Sequence, residues 1–252
     1  MLAGLLVLAT IAGVSSPTAP MRYKIDFKSS QEVDLSAAGA GKQMSELTAS
    51  AWITVTMSDT AGGQLAHVVV DSLTAAPTGM MAQQITDEAI AAAKGALFHL
   101  YIVNGKVQGT PKPSVESAAL AVVAQSVTLL FPGAKTGLKV GETWTDTTRN
   151  DATTEAGSQT GSTVMLWKVL SMEGDAYVLE GAATGTMTAQ QGGGELNIST
   201  KSTGTQKVTT TAKGPSKSGN TVMKVDATVV TSQLPDPIPV TGSTTVTLTA
   251  IP

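Results

Sequence analysis

Residues 22–28 read Arg-Tyr-Lys-Ile-Asp-Phe-Lys, and this strict alternation constrains the fold more than any other feature of the chain. In an extended backbone Tyr23, Ile25 and Phe27 fall on one side. Arg22, Lys24, Asp26 and Lys28 fall on the other. A period of two residues means a strand with one dry face and one wet face. Such strands belong to antiparallel sheets, because parallel sheets are covered on both faces.

The same texture recurs along the chain between turn signals. Leu47–Met57 and Gln64–Leu73 are strand-like and flank Ser58-Asp-Thr-Ala-Gly-Gly63, which predicts a hairpin. Residues 37–43 read as a flexible connection. Ala96–Val103 runs into Asn104-Gly105, two residues that tolerate positive φ and so favour a tight type I′ turn. From Gly137 the chain reads as β to its end. Val164–Leu170 and Tyr177–Glu180 flank a turn at 171–176. Thr184–Gln190 and Glu195–Thr200 flank Gln191-Gly-Gly-Gly194. Val208–Ala212 and Thr221–Thr231 flank 213–219, and Thr244–Ile251 follows the break at Pro235, Pro237 and Pro239. Trp144, at the end of the Gly137–Trp144 step, is the expected core anchor of this half. Such spacing predicts roughly ten to twelve strands in a wide curved antiparallel sheet or partial barrel.

Two segments depart from this period. Thr86–Gly95 has a capping Thr, Asp87 and Glu88 in its first turn and a closing Gly, which predicts a short helix. Ser114–Phe131 is apolar around nearly its whole circumference and stops at Pro132, which predicts a helix buried on several sides. At about 27 Å it approaches bilayer thickness, but Glu116, Gln125, Ser126 and Thr128 argue against insertion. The fold class is therefore mainly β, with the second helix covering a sheet face. The change of texture near Pro132–Gly137 admits a boundary. Because the helix needs a sheet to cover it, residues 21–252 are read as one domain.

Leu2–Val14 is a short apolar run followed by small and turn-forming residues through Pro20. Thirteen residues span about 20 Å as a helix, short of the ~30 Å bilayer core. That length fits the apolar region of a signal peptide. The n-region has no Lys or Arg, and cleavage after Ser15 or Ala19 would leave a proline nearby, so a retained apolar N-terminal helix is the alternative. Residues 1–20 are set apart from the fold, and the expected location is extracytoplasmic, periplasmic or secreted.

Composition removes several function classes. Charged residues make up 14% against a usual quarter, and the net charge is −3 with no basic run. Nucleic acid needs clustered Lys and Arg to displace counterions, so that partner is not expected. The absence of cysteine removes disulfides, thiolate metal sites, a Cys nucleophile and a lipid-anchoring Cys. The two histidines, His67 and His99, have no spacing that makes a local metal pair. No Gly-x-Ser-x-Gly elbow is present, and the 19 carboxylates are dispersed. Gly192–Gly194 sits in a hairpin turn, out of context for phosphate binding. No cofactor, metal or catalytic residue is expected, and the protein is read as non-enzymatic.

The relation of helix 114–131 to the sheet remains. Side chains either fill the gap between them or leave an apolar pocket. Aromatics are only 4% of the chain and Met numbers ten, a side chain that plugs gaps or adapts to greasy ligands. The expected lining of such a pocket is Leu120, Val123, Val127 and Phe131 from the helix, with Trp52 and Phe98 from strands. Two readings follow: an apolar-ligand or lipid-binding envelope protein, or a structural envelope protein with a filled core and a Thr/Gly-rich surface for unknown protein partners. A hydrolase ranks third.

The segment Phe131-Pro-Gly-Ala-Lys-Thr-Gly-Leu-Lys-Val-Gly-Glu-Thr-Trp144 resembles one in uncharacterised bacterial secreted proteins and lipoproteins, which share a Pro and then a Val-Gly-[Asp/Glu]-x-Trp step into a strand. The resemblance implies an envelope protein and assigns no functional residue. The expected architecture is also similar to lipoprotein and lipid-carrier half-barrels.

Overall fold

The computed structural model describes residues 18–154, 157–212, 214–234 and 236–252. Eleven strands form one sheet: β1 (Met21–Leu35), β2 (Gly41–Thr60), β3 (Gly63–Pro77), β4 (Leu97–Val103), β5 (Lys106–Val107), β6 (Thr143–Thr154), β7 (Gly157–Glu173), β8 (Ala176–Gln191), β9 (Leu196–Thr211), β10 (Ser218–Thr231) and β11 (Ile238–Ile251). Three short helices accompany it: α1 (Met81–Gln84), α2 (Asp87–Ala93) and α3 (Leu120–Val127).

The spatial order is β5-β4-β3-β2-β1-β11-β10-β9-β8-β7-β6. The described chain starts in the middle of the sheet and meanders out to one edge at β5. Residues 108–142 then carry it across to the opposite edge at β6. From there it meanders back until β11 lies antiparallel beside β1, with Phe27 opposite Val246. The result is a curled, open antiparallel half-barrel. Its two edges meet at one point, where Lys106 Nζ lies 2.7 Å from Asp146 Oδ1 and 3.4 Å from Thr148 Oγ1. Bulges assist the bending. Asp71 on β3 and Leu170 on β7 are extra residues in their ladders, at the register shifts beside Trp52/Ile53 and Val169/Ser171.

Several local expectations are realised. Asn104 and Gly105 have φ of 52° and 73°, as a type I′ turn requires, and Val103 pairs with Lys106. The Thr86 side chain caps α2 by accepting from the Ala89 amide. The hairpins at 58–63, 171–176 and 191–194 all form, with strands longer than the alternation alone suggested. The connection at 37–43 is tighter than a flexible loop. It is a 3-10 turn, Ser36–Ala38, closed by Gly39, and β2 already runs from Gly41.

Two expectations are corrected. The second helix does not span 114–131: α3 starts at Leu120 and ends in a 3-10 turn at Thr128–Leu130. Ser114 does not cap it, because β4 uses Ser114 instead. The Leu97 amide donates to Ser114 Oγ at 3.0 Å and the Ser114 amide donates to the Leu97 carbonyl at 2.8 Å. Pairing with β4 thus holds Ser114 outside the helix, and the residues that follow form bends and a turn before Leu120. Trp144 is not the core anchor of the second half. Its directly opposed partner Trp167 is, at 3% exposure, with Trp144 stacked on it at 6.0 Å on the edge strand. Of residues 1–20, only Thr18, Ala19 and Pro20 are described. The apolar run and Ser15 lie outside the described residues. Thr18 is tied to β2 by two hydrogen bonds with the backbone of Met57.

The core occupies one end of the half-barrel. The concave residues of β1–β4 pack against Leu120, Val122, Val123, Val127, Leu129 and Leu130, together with Val246 and Leu248 of β11. A second cluster gathers Trp167, Val169, Tyr177, Leu179 and Val208 around Ala134 and Leu138 of the crossover.

Candidate ligand-binding trough

The strands are longer than the helix that covers them. Directly opposed residues define a transverse row on the concave face: Trp167, Gly181, Gln206, Thr221, Val246 and Phe27. On the helix side of this row, concave residues are buried. On the other side, every second residue continues onto the same face with no described helix above it.

The next rows outward carry Met165, Ala183 and Met223 with Ser29 and Thr244, then Val225 among Thr163, Ser202 and Gln31, then Met187, Ala227, Val240 and Val33 with Thr200, then Ala189, Ile198, Val229 and Ile238 with Gln159. Ala183 is buried and the others are half-buried. Their chain neighbours on the convex face are mostly polar: Lys224, Asp226 and Thr228 on β10, and Thr184, Thr186 and Thr188 on β8, all exposed. From Thr221 to Val229 along β10 the trough runs about 26 Å at a strand's usual rise. Burying such a face against an apolar occupant is favourable at about 25 cal/mol per Å².

A cavity of about 450 Å³ lies at the inner end of this trough, along the seam between the two sheet edges. Its walls include Lys106, Thr128, Phe131, Asp146, Thr163, Met165, Trp167 and Gln206. The Lys106–Asp146 ion pair, with side chains 35% and 29% exposed, holds the edges together beside it. A second hollow of about 650 Å³ sits at the opposite, closed end among turn residues such as Asp59, Gly105 and Lys135, away from the uncovered apolar rows. The seam cavity joins a greasy surface, and the second hollow does not.

The residues expected to line a pocket are placed differently. Leu120, Val123, Val127 and Phe98 have no exposed surface and Phe131 has 4%, so the gap beneath the helix is filled. Phe131 alone of the five borders the seam cavity. Trp52 lies on the convex face, its ring 5.8 Å from Lys24 Nζ. Phe98, Leu120, Val123, Val127 and Phe131 share one packed core cluster, and Trp52 does not join them. Met165, Trp167, Gln206, Lys106 and the outer rows were missed. One signal could have found them. Strand 221–231 places Met223, Val225, Ala227 and Val229 on one face, and no described helix covers that face.

Among other polar groups, the two histidines are cross-strand neighbours despite their distance in sequence. His99 Nδ1 and His67 Nδ1 approach to 2.9 Å on the convex face, their rings edge to face. Among the described residues, no group of three or more His, Asp or Glu gathers as metal ligands do. No described helix is long and apolar enough to cross a membrane.

The fold and trough define a class: an open antiparallel half-barrel stoppered at one end by a short apolar helix. A scan against protein-family models finds no match to this sequence, and no curated protein matches it.

Proposed function

We propose that the protein binds an apolar ligand, the acyl chain of a lipid, along the concave face of β7–β11, and that it does so outside the cytoplasm as a non-enzymatic envelope protein. One observation carries the reading: the alternation of β8, β10 and β11 continues beyond α3, and no described helix lies above it. An apolar surface of this extent on a soluble chain marks a place of interaction. Its concave form and the adjoining cavity suit a chain-like occupant, and methionines at 165, 187 and 223 adapt to varied shapes. The trough is longer than the ~15 Å that one lipid tail spans in half a bilayer core. The signal-like apolar run at residues 2–14 and the resemblance of 131–144 to secreted proteins support the location.

The test uses the purified full chain, extracted with organic solvent and titrated with an apolar fluorescent dye. Co-purifying lipid and saturable dye binding are expected. Val225→Asp places a carboxylate on the concave face opposite Ser202 and Gly242. Dye binding is expected to fall at least ten-fold while the circular dichroism spectrum is unchanged. A clean extract with no dye binding by the wild-type chain rules the reading out.

A further inference from the structure

On the ligand reading above, on which this inference rests, one end of the bound chain enters the seam cavity of about 450 Å³. The charged residues on the cavity wall are Lys106, Asp146 and Arg149. Lys106 and Asp146 answer each other at 2.7 Å. Arg149 is exposed on the edge strand β6 and has no ion-pair partner among the described residues. The wall therefore holds two cations against one anion, in a chain whose net charge is −3. Gln206 of β9 supplies the second feature. It lines the cavity and is 9% exposed, yet its carboxamide has no hydrogen-bond partner among the described residues. Nor is that carboxamide sealed in: the described side-chain polar atoms that are both fully buried and unpaired are Thr60 Oγ1 and Thr221 Oγ1. Buried polar groups are nearly always paired, so a reachable, unpaired amide on a cavity wall points to a partner that enters the cavity.

An anionic head answers both features. A guanidinium and a carboxylate match as two parallel N–H···O bonds, and a charged partner strengthens a hydrogen bond. A carboxylate keeps further lone pairs with which to accept from the Gln206 amide. An ammonium head would meet Arg149 as a like charge, and an uncharged head would leave Arg149 without a counter-charge. We infer that the seam cavity takes the carboxylate of a fatty acid, with Arg149 giving the opposite charge and Gln206 a hydrogen bond, while the acyl chain leaves the cavity past Met165 into the open trough. Because Arg149 is exposed, its attraction is modest and falls with salt.

The experiment measures displacement of the bound dye by a fatty acid, its methyl ester and the primary amine of one chain length, at about pH 8, where the carboxylate and the ammonium are both ionised. The full wild-type chain is compared with Arg149→Gln, Gln206→Leu and Lys207→Gln. The wild type is expected to bind the acid at least about three-fold more tightly than the ester or the amine, and that margin is expected to close at about 1 M salt. Arg149→Gln is expected to lose the margin while its affinity for the ester stays the same. Gln206→Leu is expected to weaken the acid and the ester together, because both present an acceptor oxygen. Lys207 is exposed on the convex face next to Gln206, so Lys207→Gln removes the same charge from the chain and is expected to keep the margin. Arg149 and Lys207 are both exposed, and their variants carry the test if Gln206→Leu does not fold. Ester or amine bound by the wild type as tightly as the acid, a margin kept by Arg149→Gln, or one lost equally in Lys207→Gln overturns the inference while leaving an apolar-ligand trough in place. Failure of the dye to bind the wild type at all overturns both.

Discussion

At the scale of single residues, burial and backbone conformation decide what each group does. Tyr23 sits in the core at 2% exposure, and burial pushes its phenol up to about 12 from 10.0. The native state therefore favours the neutral phenol more than the unfolded chain does. That contribution is fully present below pH 10 and is lost as pH rises through about 12. Stability measured by urea unfolding is expected to fall across this window in the wild type, and Tyr23→Phe is expected to remove that part of the alkaline loss. An unchanged alkaline slope in the variant would contradict it. On the wet face of the same strand Asp26 has the opposite surroundings. The Ser50 hydroxyl donates to its carboxylate at 2.6 Å and Lys24 lies beside it, which holds its carboxyl below the usual range. Residues of this kind were legible in the sequence because alternation assigns a face directly. Asn104 and Gly105 were legible for a different reason: only residues that tolerate positive φ make that turn cheaply.

At the scale of elements, α3 acts as a stopper. Leu120 has no exposed surface, and Leu120→Ala is expected to cost about 2–5 kcal/mol by urea denaturation. Val225 is half-buried in the trough, and Val225→Ala is expected to change stability by no more than about 0.5 kcal/mol. Equal losses at the two positions would show that the trough is packed core rather than open surface. The extent of α3 was not legible in the sequence. Ser114 and the residues after it have a helical pattern, and their pairing with β4 depends on a strand distant in sequence. The same limit explains the choice of Trp144 over Trp167. Both are strand tryptophans, and only the strand order shows that β6 is an edge and β7 is not. The residues expected on α3 are packed core and not pocket lining for a related reason: an apolar helix shows that something covers it, without saying whether the space between is filled.

At the scale of the whole molecule, an antiparallel meander interrupted at its middle accounts for the form. The crossover 108–142 must pass from one edge to the other, and it lays its helix over only part of the concave face on the way. The strands run on beyond it, so the half-barrel is closed at one end by side chains and open at the other. Antiparallel pairing and the number of strands were readable from period and turn spacing. The uncovered half was not, because it results from the difference between strand length and helix length, which only the assembled sheet shows. The open half is where the lipid chain is proposed to lie. The most direct measurement is photocrosslinking of the full chain with an acyl chain carrying a light-activated group, mapped by mass spectrometry. Labels are expected on Met165, Met187, Met223 and Val225. Labels confined to the convex face, at Leu166, Lys224 or Thr228, would contradict the account.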